Sequence, residues 1–170
     1  MRSDGIPSFR FMNVPGSVSP QLENDPLPKI LQELQVMRAS HRLCVIAAHG
    51  LLELLINTFV EANCKHGKDI SSRSRDYTHS AKLVILHELS LITDSEFRQF
   101  DWFRKLRNRA AHDPLFEITS ADLDLFRGSD YSNPDNFYMV CINLIGGFWN
   151  RHVTFFAPKF LPSLFPKTET

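Results

Sequence analysis

The chain has 170 residues, 43% of them hydrophobic, and its 19 basic side chains balance 19 acidic ones to a formal net charge of +0. That length suffices for one domain with a proper core. A zero balance excludes a global field that would draw in nucleic acid or a membrane surface, so any nucleic-acid contact must come from a local patch. An odd count of cysteines (Cys44, Cys64 and Cys141) and no signal-peptide pattern predict reduced thiols in a cytoplasmic protein. The apolar runs read as shorter than the ~20 residues of a membrane helix, so no membrane partner is expected.

Residues 1–26 contain Pro7, Pro15, Pro20 and Pro26 without apolar periodicity and read as a flexible N-terminal arm, with Phe9, Phe11 and Met12 as its only docking material. A helical-bundle domain is expected over 27–157. From Leu27, Ile30, Leu31, Leu34 and Met37 form one stripe, continued by Leu43, Ala47, Gly50, Leu51, Leu54, Leu55 and Phe59. This predicts one long helix, or two joined near Ser40, closed by Lys65 and His66 in the last turn and Gly67 at a left-handed cap. Residues 68–77 read as a loop.

A helix is then predicted from about Thr78 to Leu91, burying Leu83, Leu86 and Leu89. The next helix has a capping box, Thr93 with Glu96, and a staple of Ile92 onto Phe97. It must stop before Pro114, which donates no hydrogen bond and pushes Asp113 out of helical angles. A short helix near Ser120–Phe126 is expected. Asn133-Pro134-Asp135 then reads as the start of a last long helix carrying Phe137, Val140, Cys141, Leu144, Phe148 and Phe155. The pair Gly146-Gly147 suggests a close helix contact there. The tail 158–170, with Pro158, Pro162 and Pro166, is predicted to be extended and to dock its apolar residues on the bundle or on a second subunit. The fold class is all-α, an up-and-down helical bundle of four to five main helices.

The chemistry concentrates in Arg104-Lys-Leu-Arg-Asn-Arg-Ala-Ala-His112. At about 100° per residue, Phe103, Leu106 and Ala110 share one face. Arg104, Asn108 and His112 share the other, with Ala111 among them and Arg107 at the edge. Arg98, Arg104, Lys105, Arg107 and Arg109 make a local basic patch, offset in part by Asp94, Glu96 and Asp101. Glu53, inside an apolar run, is costly to bury unless paired; His49 and Asn57 lie one turn to either side of it. Arg109 reads as solvated. His41, Cys44 and His49, or Cys64 and His66, lack four ligands at a recognised spacing, so neither a metal nor any other cofactor is expected. No phosphate-cradling glycine loop, dinucleotide fingerprint or base-reading helix-turn-helix is present.

The segment Arg107-Asn108-x3-His112 resembles the Arg-x4–6-His motif of the HEPN superfamily. With Ser80–Phe97 before it, the pattern is closest to the branch that includes the mannitol operon repressor family, over most of residues 28–126. The resemblance implies a HEPN-like bundle acting as an RNA-binding protein or metal-independent endoribonuclease of the toxin or defence type. Arg107, Asn108 and His112 are then its catalytic residues, and Glu53 and Arg104 support them. Histidine titrates near working pH and suits proton transfer from a 2′-hydroxyl; a guanidinium forks onto phosphate oxygens. The resemblance also implies a homodimer, RNA as partner if active, and a protein partner such as an antitoxin. The alternative it carries is a non-enzymatic regulatory protein acting through protein partners, with Arg107 paired to a bundle carboxylate and His112 only capping its helix.

Overall fold

A computed structural model describes residues 25–126 and 134–165. The arm through residue 24, the Asn133 cap and Pro166 lie outside the described residues. Among these residues all regular structure is helical. The α-helices are α1 (Pro26–Val36), α2 (His41–Asn63), α3 (Gly67–Ser72), α4 (His79–Glu88), α5 (Asp94–His112), α6 (Phe137–Arg151) and α7 (Val153–Phe160). Short 3-10 turns cover Met37–Ala39, Ser120–Phe126, Pro134–Asn136 and Pro162–Leu164. The fold is an all-α helical bundle.

Helix α2 is the centre of the bundle, packed against α1, α3, α4, α5 and α6. It is long and apolar enough to cross a membrane by length and composition, a property the broken apolar runs of the sequence concealed. Here it serves as the core helix: Val45, Ala48, Leu52, Leu55, Ile56 and Val60 have no exposed surface. The buried stripe is rotated from the expected one, and Leu43 and Leu54 are 49% and 41% exposed. The break at Ser40 falls where expected, and its side chain accepts from the Leu43 amide.

Beyond Asn63 the chain departs from the expected pattern. Gly67 does not cap α2 in a left-handed turn; it opens α3, within the stretch expected to be loop. A Cβ there would stand 2.4 Å from the Val60 carbonyl oxygen and 2.5 Å from Glu61 Cα, so α3 folds back on α2 only because the residue has no side chain. Helix α4 starts about where expected, capped by Thr78, but ends at Glu88. Ser90 takes a left-handed φ of 55°, and the Leu91 amide donates to the Leu86 carbonyl at 2.9 Å. Leu89 is therefore 50% exposed rather than core.

Helix α5 matches its expected bounds. The Thr93 amide donates to Glu96 Oε2 at 2.8 Å and the Glu96 amide to Thr93 Oγ1 at 3.3 Å, so both arms of the capping box are made. Ile92 is buried in the core and Phe97 packs against it. Glu96 also pairs with Arg151 at 3.2 Å, tying the start of α5 to the end of α6. Phe103, Leu106 and Ala110 are buried, each large apolar side chain contributing about 1.5–3 kcal/mol by leaving water.

The last helix is two helices, broken at His152. Gly147 faces open space rather than a neighbouring helix. Helix α7 runs through Pro158 to Phe160, where extended chain was expected. Proline costs one hydrogen bond, to the Thr154 carbonyl, but burial of Phe156, Ala157 and Phe160 holds the turn. The following turn docks on the bundle: the Ser163 amide and hydroxyl both donate to the Asp25 carboxylate.

Candidate functional site

The polar face of α5 looks onto α2 and the start of α4, and between them lies an open cleft of about 340 Å³. Arg104, Arg107 and Asn108 line it from α5, and Glu53 from α2. His49 of α2 and Thr78, His79 and Ser80 at the start of α4 complete it. Four of the five expected site residues are thus gathered around one space. The fifth, His112, sits in the last turn of α5, exposed and outside the cleft lining.

The residues differ in how much of their charge is spent. Arg104 donates to Asp101 Oδ1 through Nε and Nη2 at 3.0 and 2.8 Å, and Lys105 meets the other oxygen at 2.7 Å. Partial burial pushes the Asp101 carboxyl up, but the hydrogen bonds from Lys105 and Arg104 outweigh it and hold the group ionised. Among the described residues, Arg107, half-buried, has one hydrogen bond, a long one from Nη1 to Asn108 Oδ1 at 3.4 Å. No carboxylate among the described residues pairs with it, and Glu53 forms no ion pair with a described residue. Among the described residues, Arg107 therefore keeps most of its donors available to the cleft.

Two histidines form the floor. His49 is 4% exposed, and its ring centroid is 4.6 Å from that of His79. Burial pushes the His49 imidazole down to about 4, helped by the charges of Arg107 and Arg104. Burial again leads at His79, followed by His49, Lys82 and the two arginines, and holds it at about 3. Both are neutral at pH 7. Behind them Lys82, 1% exposed, donates to Asn57 Oδ1 at 2.9 Å and to the Ser71 carbonyl at 3.2 Å. Asn57, read from the sequence as a flank of Glu53, is thus occupied by a buried ammonium.

The end of α5 is fixed from a distance. Arg42, at the start of α2, donates to the carbonyls of Ala110 at 2.7 Å, Asp113 at 2.6 Å and Pro114 at 2.9 Å. The Ala110 carbonyl is one that a helix end leaves without an intrahelical partner, and a cation beside it also suits the helix dipole. Arg109 is not simply solvated: it is bound to the Asp122 carboxylate and donates to the Glu117 carbonyl at 2.9 Å. Arg42, His79 and Lys82 escaped the sequence reading because their roles arise where α2, α4 and α5 meet. The signal that was available was the polar pair His79-Ser80 opening an otherwise apolar helix.

No family model, curated protein or solved structure matches the chain. The HEPN resemblance accordingly rests on the residues of the motif and its helical setting.

Proposed function

We propose that this protein is a HEPN-like RNA-binding protein that acts as a metal-independent endoribonuclease, with the Arg107 cleft as its phosphate site. The observation that carries the reading is Arg107 itself: a guanidinium lining an open cleft, beside Asn108 and Arg104, with no carboxylate partner among the described residues. A forked donor of this kind suits phosphate oxygens and stabilises charge that builds on them. A regulatory module acting only through protein partners would be supported by a closed Arg107–Glu53 pair, which is absent among the described residues.

In the proposed reaction His112 takes the proton of a ribose 2′-hydroxyl, and the freed oxygen attacks the neighbouring phosphorus. The bond to the 5′-oxygen breaks, and that oxygen leaves with a proton returned from an imidazolium. Arg107 holds the phosphate, and Asn108 donates to it or orients the histidine. Because His112 lies outside the cleft of its own chain, the site is completed by a homodimer in which two motifs face each other across a two-fold axis, as the resemblance implies. Such a nuclease, with its cysteines reduced, belongs in the cytoplasm and calls for a partner that restrains it.

Two measurements test this. Single-stranded RNA should be cut by the wild type and spared by Arg107→Ala and by His112→Ala, both still helical by circular dichroism. Light scattering at micromolar concentration should show a dimer. Cleavage that survives both substitutions rules out the site, and a monomer that cuts at full rate rules out its completion by a second chain.

A further inference from the structure

Three ring nitrogens in the cleft floor are buried without a hydrogen-bond partner: Nε2 of His49 and both Nδ1 and Nε2 of His79. A neutral imidazole carries one N–H and one bare lone pair, and leaving such atoms buried and unpaired is unfavourable. Folding alone does not favour two such rings at 4.6 Å. Their partner has to come from the cleft they line. The groups facing them are Arg104 and Arg107 from α5, Lys82 from α4 with its ammonium turned to Asn57 and Ser71, and Glu53 from α2. At the start of α4 the Ala81 amide is already spent on Thr78 Oγ1, while the amides of His79 and Ser80, in the first turn, have no partner within the helix.

We propose that His49 and His79 form a proton-accepting floor for a phosphate group: an anion seated between Arg104 and Arg107 supplies the acceptor the two rings lack, and the pair takes up a proton as it binds. The inference rests on the reading of the cleft as an RNA phosphate site for the identity of the anion. The physical basis is a reversal of sign. In the empty cleft the two guanidiniums repel a third positive charge, and desolvation penalises it further. A bound phosphate offsets the guanidiniums, accepts from the rings, and makes the imidazolium the better state. Bound RNA therefore raises the imidazole pKa above its free value. Between those two values binding takes up a proton, and affinity rises as pH falls, by up to about tenfold per pH unit for one proton. The rise levels off below the free value.

The test is proton NMR of the wild-type protein at roughly pH 6.5, with the histidine ring signals assigned through the backbone. Two probes are used, each ionised throughout the range: oligouridylate with hydroxyl ends, 2′-O-methylated so that it cannot be cut through its own 2′-oxygen, and sulfate. The expected result is that each probe moves the His49 and His79 ring signals part of the way to imidazolium positions, as one proton shared by the pair requires. A second expected result is that oligouridylate binds about tenfold tighter per unit of pH lowered, a slope that His79→Gln removes. If sulfate moves the two signals but oligouridylate does not bind, the anion site stands and the RNA reading falls. Oligouridylate that binds while both rings stay neutral overturns the proposal, as does failure of both probes to move them.

Discussion

Acidification should weaken this fold through His49 and His79 in particular. In the fold their pKa values are about 4 and about 3, against 6.5 for a free imidazole. The unfolded chain therefore binds protons below pH 6.5 that the folded chain refuses, and stability falls as pH falls through that window. Each pH unit costs about 1.4 kcal/mol per histidine. Between neutral pH and roughly pH 5 each loses about 2 kcal/mol, and the pair about 4 kcal/mol. That is a large share of the ~5–15 kcal/mol that holds a domain together. His152, also pushed down by burial, acts in the same direction. Asp101 and Asp122, whose pKa values lie below 3.8, lose their contribution only on further acidification. Urea denaturation at a series of pH values gives the curve. A His49→Gln, His79→Gln double variant should lose about 4 kcal/mol less than the wild type over the same interval. A wild-type stability that is flat down to pH 5, or an equal loss in the double variant, would refute the argument.

Two further substitutions test how the motif helix is held. Thr93→Ala removes one arm of the capping box of α5 and should lower stability by ~0.5–2 kcal/mol, read as a shifted denaturation midpoint at constant slope; an unchanged midpoint would mean that the box contributes nothing. Arg42→Ala leaves three carbonyls at the end of α5 without their cation and should cost about 2 kcal/mol. Hydrogen exchange of the last turn of α5 should rise with it, and equal protection in the two proteins would show that the turn is held by other contacts.

What the sequence made legible was local. Thr93 with Glu96 marks the start of α5, Pro114 marks its end, and the spacing of Phe103, Leu106 and Ala110 sets its buried face. Those three features suffice to turn Arg104, Arg107 and Asn108 to one side. What packs against that side depends on contacts between distant helices. His79 shares the cleft because α4 lies against α5, and Arg42 reaches Ala110 across 68 positions of chain. Glycine and proline misled for a related reason. Gly67 has the local signature of a helix stop but permits a close approach of α3 to α2, and Pro158 has that of a helix breaker but sits in a helix fastened by Phe156 and Phe160. Tertiary burial overrode local preference in both places.

The central claim is chemical, that the Arg107 cleft serves metal-free cleavage of RNA by its own 2′-hydroxyl. The most direct measurement is end-group analysis of single-stranded RNA incubated with the purified protein in EDTA. The account predicts fragments bearing 2′,3′-cyclic phosphate and 5′-hydroxyl ends, formed by the wild type and not by Arg107→Ala. Cutting that requires magnesium, or that leaves 5′-phosphate ends, would contradict it.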